Sequence, residues 1–331
     1  MVTYRILGDQ FQGKSALLEA ICTKHHLNGS TVYDVFGAND NEMLAWLDSP
    51  FKDDVVLIHG NDMKVKGDVE TIKMGDLQPR SVPEGKIYVT SRAFYRRRAD
   101  DFHFYSALYR LTRRFRDRDS FNRTDIVAIR EADEFVSSQK AAGSGTKKPQ
   151  VDAETEFAKF HNQMVHYGYA LGIDQHRDVD VAKKIRYLST YLFFKNMGDI
   201  ELPRPWWPLR YLDPDLLLRR LAKNQFAVKT SRQCIGVGTF DLPEWHIKRG
   251  AGLLAKFGIS VIDTFTNTEM VEEEVPSRQG TLIDESVRAQ IAKVKKDDPS
   301  LSLRAIGRQF GIAPSTVMQI LQEDRPHAEP Q

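Results

Sequence analysis

Thr3-Tyr4-Arg5-Ile6-Leu7-Gly8-Asp9-Gln10-Phe11-Gln12-Gly13-Lys14-Ser15 is the stretch whose reading decides the fold. Thr3 to Leu7 is β-branched and apolar and predicts a short strand. Gly8 to Ser15 reads G-x-x-x-x-G-K-S, and Ala16 to His26 predicts a helix. Strand, glycine-bounded loop and helix, in that order, form the context that makes this pattern a phosphate-binding loop. Gly8 and Gly13 let the backbone curl close to an anion. The N–H groups from Gly8 to Ala16, through Asp9, Gln10, Phe11 and Gln12, then point into one concavity. The helix beginning near Lys14 adds its positive end. Lys14 offers a point charge to β- and γ-phosphates, and Ser15 offers a hydroxyl to Mg²⁺. The alternative is a glycine-containing turn with a chance lysine. Spacing, terminal serine and flanking elements all speak against it.

The 331 residues suit one large domain and a small one. The hydrophobic fraction of 41% supports a core. No apolar run reaches the ~18 residues of a membrane span, so no membrane association is expected. Strand and loop begin at once, so no signal peptide is expected. A net charge of +2 leaves any nucleic-acid argument to local clusters. The two cysteines, Cys22 and Cys234, have no metal-type spacing, and the nine histidines form no zinc pattern. A reduced, cytoplasmic setting is expected.

Further strands are expected at Thr31–Phe36, Val55–Ile58, Lys86–Thr90, Asp125–Ile129, Tyr169–Ile173, Thr190–Phe194 and Cys234–Gly238. Helices between them imply a mainly parallel sheet covered on both faces. Residues 60–83 read as a loop excursion, and Trp245–Phe257 as a helix. The arginine-rich run from Arg92 to Arg118 is interleaved with aromatics. It would either face phosphates of nucleotide or DNA, or pair with Asp100, Asp101, Asp117 and Asp119 on a solvated helix. The strand Asp125–Ile129 runs into Arg130-Glu131-Ala132-Asp133-Glu134. An acid at the carboxyl end of a parallel strand lies on the ligand edge of such a sheet. Lys140 to Gln150 is polar and reads as a loop.

Residues 264–280 are acidic, with Pro and Gly, and read as a linker between a large domain, 1–263, and a helical unit, 281–325. Within that unit, helices are expected at Glu285–Lys296, Leu303–Phe310 and Pro314–Gln322, with Gly311-Ile312-Ala313 as the turn. This is a helix-turn-helix pattern. It would offer Ser315, Thr316 and Gln319 to a major groove. The alternative is a small helical protein-interaction unit.

With the phosphate loop, the acidic strand end and Asp174-Gln175-His176-Arg177-Asp178-Val179-Asp180 placed in order, residues 1–263 resemble a RecA-fold ATPase of the HerA/FtsK type. These are motors that pump or thread DNA, with related forms in archaea and their viruses and plasmids. The tail separately resembles resolvase-type DNA-binding tails. The resemblance implies a RecA-like α/β P-loop fold with a mainly parallel sheet, plus a C-terminal all-α helix-turn-helix domain. It implies ATP and Mg²⁺ as cofactors, with Lys14 and Ser15 on phosphate and metal. Glu131 would polarise the attacking water, and Gln175 would sense the γ-phosphate. Arg177 and Arg186 are the two candidates to complete a neighbouring subunit's site in a homo-oligomer, a hexameric ring by analogy. Double-stranded DNA is the implied partner, with no small-molecule substrate besides the nucleotide. The setting is cytoplasmic, or virion-associated in a viral protein.

One departure stands out. The family usually ends this strand in Asp-Glu, and this chain has Arg130-Glu131. The Mg²⁺-associated aspartate is thus replaced, with Asp133 and Glu134 the nearby acids that could serve the metal. The leading expectation is a DNA-translocating or DNA-packaging ATPase. The alternative is an ATP-switched DNA-binding regulator or assembly factor without motor activity. A small-molecule P-loop kinase fits poorly with the tail, and a GTPase lacks an N-K-x-D motif.

Overall fold

The computed structural model describes residues 2–9, 12–37, 42–79, 82–95, 102–116, 125–132, 156, 159, 169–175, 190–197, 220–232, 234–246, 252–270, 290–291 and 293–295. The chain divides into two compact units, Met1–Glu272 and Glu273–Gln331.

The first unit is built on a ten-stranded sheet in the order β11-β10-β9-β1-β8-β7-β2-β6-β3-β5. Its strands are β1 (Thr3–Leu7), β2 (Val32–Gly37), β3 (Val55–His59), β5 (Glu70–Lys73), β6 (Ile87–Thr90), β7 (Asp125–Arg130), β8 (Tyr169–Gln175), β9 (Tyr191–Phe194), β10 (Gln225–Thr230) and β11 (Ile235–Thr239). From β9 to β5 every neighbouring pair is parallel. β10 and β11 extend the β9 edge antiparallel. The result is a mixed α/β fold with a mostly parallel central sheet, an arrangement that fits a RecA-like P-loop fold. β3, β6, β7 and β8 are buried along their whole length. Their near-continuous apolar runs are what a strand covered on both faces requires.

The helix α1 (Lys14–Leu27) leaves β1 and packs on β8 and β7 with Leu17, Leu18 and Cys22 buried. The chain then goes to β2, three places along the sheet from β1, whereas β9 lies on the opposite side of β1. The order reverses at β1, so a ligand crevice opens outside the carboxyl end of that strand. A second helix, α2 (Phe102–Arg116), buries Leu108, Leu111 and Phe115. Phe115 meets Tyr33 and Tyr169 edge-on, with ring centroids 4.9 and 5.3 Å away. This aromatic contact ties α2 to β2 and β8.

Several expectations change. Residues 60–83 contain two short strands, β4 (Met63–Lys66) and β5. β4 joins β12 (Ser260–Asp263) and β13 (Thr268–Met270) in a separate three-stranded sheet. The interdomain linker therefore does not begin at Thr264, because residues 264–270 form the turn and last strand of a hairpin in the first unit. Over Trp245–Phe257, the described residues are helical only at α3 (Leu253–Lys256), and Gly252 ahead of it has φ 82°. That left-handed residue cannot continue a helix from Trp245. Of the arginine run, Arg114 Nη1 donates to the carbonyls of Met74 and Leu77. Those bonds tie α2 to the loop after β5, in neither of the two ways the run was read.

In the second unit, Gln290–Ile291 and Lys293–Lys295 are helical. They fall inside the first helix expected there. Ser315, Thr316 and Gln319 lie outside the described residues. Among the described residues no helix is long and apolar enough to cross a membrane.

Candidate nucleotide site and its buried charge cluster

The loop from β1 to α1 has the backbone its sequence demands. Gly13 is left-handed (φ 80°, ψ 32°) and caps α1, with the Leu17 N–H donating to its carbonyl. A Cβ on Gly13 would stand 2.9 Å from the Lys223 carbonyl oxygen. At Gly8 a Cβ would meet Lys195 Cβ at 2.6 Å. Both glycines are therefore required by conformation or by close approach. The Lys195 N–H donates to the Leu7 carbonyl, and the Asp9 N–H donates to the Asn196 carbonyl. Residues 195–196 thus clamp the start of the loop. Lys14 is buried, and its Nζ donates to the Asp9 carbonyl at 2.9 Å, folded back over the loop. Ser15 is half-buried and Ala16 fully buried. Gln10 and Phe11 lie outside the described residues.

The carboxyl ends of β7 and β8 flank this loop. Leu7 pairs with Gln175 and Ile6 with Asp174, so both side chains come from the strand next to β1. Glu131, immediately after β7, has φ 48°. A left-handed glutamate costs on the order of 1–2 kcal/mol and persists only where its surroundings hold it. Here the Glu131 N–H donates to Asp174 Oδ1, which locks the strand end. The structure therefore brings Lys14, Ser15, Glu131 and Gln175 together. Asp133, Glu134, Arg177 and Arg186 lie outside the described residues.

Arg130 is fully buried. Its Nε and Nη2 donate to Asp34 of β2, the shortest contact being 2.6 Å. Its Nη1 donates to Glu19 of α1 at 2.8 Å and approaches Glu42 Oε2 at 3.5 Å. The cluster continues outward. Trp46 Nε1 donates to Asp34 at 2.9 Å, and His246 Nδ1 lies 2.7 Å from Glu19 Oε2. Trp46 packs on Trp245 with centroids 4.6 Å apart. Burial works against the guanidinium charge, but Asp34 and then Glu19 outweigh it and hold Arg130 well above the ordinary arginine value. The sequence alone assigns Arg130 no fixed partner. Its partners come from α1, β2 and the 3₁₀ turn Glu42–Asp48. Glu42 is pushed up to about 7, chiefly by burial, with Asp174 and Glu19 adding to it and Arg130 and the Ser15 hydroxyl opposing.

Two further residues escaped sequence reasoning. Asp174 is fully buried, and its carboxyl is raised by burial. Lys14, the Glu131 N–H, Arg130 and the Ser15 hydroxyl all favour its charged form. The available signal was an acid at the end of an otherwise apolar strand. Lys195 is also buried, with Nζ donating to the carbonyls of Lys223 (2.6 Å) and Gln225 (2.5 Å) and lying 4.7 Å from the Phe240 ring centre. Burial lowers it to about 8.

No family model matches this sequence, and no curated protein matches it. Among solved structures, the chain is similar to the genome packaging NTPase B204 from Sulfolobus turreted icosahedral virus 2 in complex with ATP-gammaS. That likeness has 13% identity and a TM-score of 0.41, over 73% of this chain and 97% of that one. It is also similar to VirB4 of Thermoanaerobacter pseudethanolicus, with 12% identity and a TM-score of 0.47, over 74% and 91%. A third is Thermomonospora curvata EccC, with 12% identity and a TM-score of 0.45, over 77% and 40%.

Proposed function

We propose that this chain is an ATP-driven motor that moves or packages double-stranded DNA. The observation that carries the ATPase part is a convergence at the carboxyl ends of β1, β7 and β8. There the phosphate loop with Lys14 and Ser15 meets a backbone-strained Glu131 and the buried Asp174–Gln175 pair. Strain of this kind gathers at functional sites. In this reading the loop amides and Lys14 hold the nucleotide phosphates. Glu131 accepts the proton of the attacking water and orients it. Gln175, next to β1, answers to the γ-phosphate. Ser15 would hold a divalent cation, which would supply charge neutralisation to the phosphates. Arg177 or Arg186 completes the site of a neighbouring copy in a ring.

The DNA part rests on the helix-turn-helix pattern of residues 285–322, with Ser315, Thr316 and Gln319 toward the groove. The alternative, an ATP-switched DNA-binding regulator, is favoured by one observation: Arg130 stands where the family carries its metal-associated acid. Steady-state ATPase of the full chain, with and without long duplex DNA, separates the two. A motor shows turnover that duplex DNA accelerates, and Lys14→Ala abolishes it. DNA-independent, near-zero turnover with intact ATP binding selects the regulator. Wild-type turnover in Lys14→Ala removes the phosphate-loop assignment itself.

A further inference from the structure

We infer that Asp174, on β8, is the acid that holds the nucleotide's divalent cation together with Ser15, and that Arg130 has released β7 from that task. This inference rests on the nucleotide-binding reading of the site. The cation is usually associated with the acid at the position Arg130 occupies. Here that position is a cation with its N–H groups committed to Asp34, Glu19 and Glu42. It cannot ligate a metal.

One strand closer to the loop, Asp174 offers what the position has lost. It is buried, and its Oδ1 accepts the Glu131 N–H, which fixes the carboxyl in place. Its Oδ2 is buried with no hydrogen-bond partner among the described residues. A buried, unsatisfied carboxylate oxygen costs about 1–3 kcal/mol or more, so its persistence calls for a partner. The Ser15 hydroxyl stands beside the same carboxyl, and Lys14 acts on it electrostatically. The donor set is therefore hard oxygen: one hydroxyl and one carboxylate, with Glu42 also facing Ser15. Among the described residues no group of three or more His, Cys, Asp or Glu gathers as a self-sufficient metal site. Mg²⁺ does not need one, because it is held by one or two carboxylates plus substrate phosphates and keeps several waters. The phosphate loop, Ser15 and Asp174 match that requirement.

The charge pattern explains how Arg130 is tolerated. The acid has moved from the end of β7 to the end of β8, and the cation left on β7 is neutralised from the other side by α1 and β2. Glu131 keeps its place between them because its backbone is bonded to Asp174 itself.

The test is a titration of the full-length protein with a fluorescent ATP analogue, in Mg²⁺ and in EDTA. Wild type should bind more tightly with Mg²⁺. Asp174→Asn keeps the acceptor for the Glu131 N–H and removes the charge. It should bind the analogue in EDTA at least as tightly as wild type, while the Mg²⁺ needed for half-maximal tightening rises tenfold or more. A second variant, Asp174→Cys, should exchange the preference for Mg²⁺ for one for Cd²⁺, because thiolate favours the softer ion. Wild-type Mg²⁺ dependence in Asp174→Asn, or in the cysteine variant without a gain for Cd²⁺, overturns the inference. Failure of wild type to bind the analogue under either condition strikes the nucleotide reading instead.

Discussion

Two buried cations flank the phosphate loop, and they are satisfied in opposite ways. Arg130, beyond β8 on one side, is surrounded by carboxylates from Asp34, Glu19 and Glu42. Lys195, just past β9 on the other, meets two backbone carbonyls and an aromatic face, with no carboxylate paired to it among the described residues. The response of each charge follows. Carboxylates hold Arg130 above its ordinary value, whereas burial alone draws Lys195 down. Arg130 is a charge that its neighbours depend on. Lys195 is a hydrogen-bonding peg that carries a charge of little use to its surroundings.

The sharpest way to break this contrast is to remove the guanidinium. Arg130→Met leaves Asp34 and Glu19 buried with their main counter-charge gone. Breaking a buried ion pair by deleting one partner costs about 3–5 kcal/mol. Urea denaturation should show that loss as a lower midpoint with an unchanged slope. Arg130→Asp should do worse, since it adds a further carboxylate to the cluster. A soluble, active Arg130→Asp protein would mean that the cluster does not hold Arg130 in solution.

Removing the other cation should cost less. Lys195→Met strands two carbonyl acceptors but relieves a buried charge, so a loss of about 1–2 kcal/mol is expected. A loss equal to that of Arg130→Met would erase the distinction. Its pH dependence sharpens the comparison. Lys195 sits at about 8 in the folded protein against an ordinary value of 10.5. Between those values the unfolded chain binds more protons than the folded one. Stability conferred by this position therefore rises with pH across that window. The stability gap between wild type and Lys195→Met should widen from pH 8 to pH 10, and a gap that narrows contradicts the buried-ammonium picture.

The same contrast shows what a sequence can and cannot disclose. The phosphate loop and the parallel strands were legible because each rests on neighbours in the chain: a fixed spacing of glycines, or a continuous apolar run. Lys14, Ser15 and Glu131 could be named for that reason, whereas Gln175 was named only through the resemblance. The partners of Arg130 could not, since Asp34 and Glu19 lie 96 and 111 residues away and meet it only once β2, β7 and α1 are packed. Asp174 was visible as part of a polar segment, but its closeness to Ser15 depends on β8 lying between β1 and β7. The short strands β4, β5, β10 and β12 were missed because they are brief or half-exposed, so their apolar pattern is weak.

The smallest expected effect concerns Glu131, which stands between the two strand ends and separates backbone from side chain. Glu131→Gln keeps shape and backbone, so it should bind ATP and lose about 10²–10⁴-fold in turnover, the usual loss without a general base. Glu131→Ala and Glu131→Gly both remove the carboxylate and should be as inactive. They differ only in how they meet φ 48°. Alanine keeps the left-handed strain, while glycine occupies that region freely. Glycine also gives the unfolded chain more entropy, which offsets part of the relief. The glycine variant should therefore exceed the alanine variant by about 0.5–1 kcal/mol in a thermal or urea unfolding comparison. The N–H that Asp174 accepts is present in both, so that bond cancels in the difference. Equal stabilities would place Glu131 in an ordinary backbone conformation in solution, and the strain offered in support of its role would have to be given up, whatever its turnover shows.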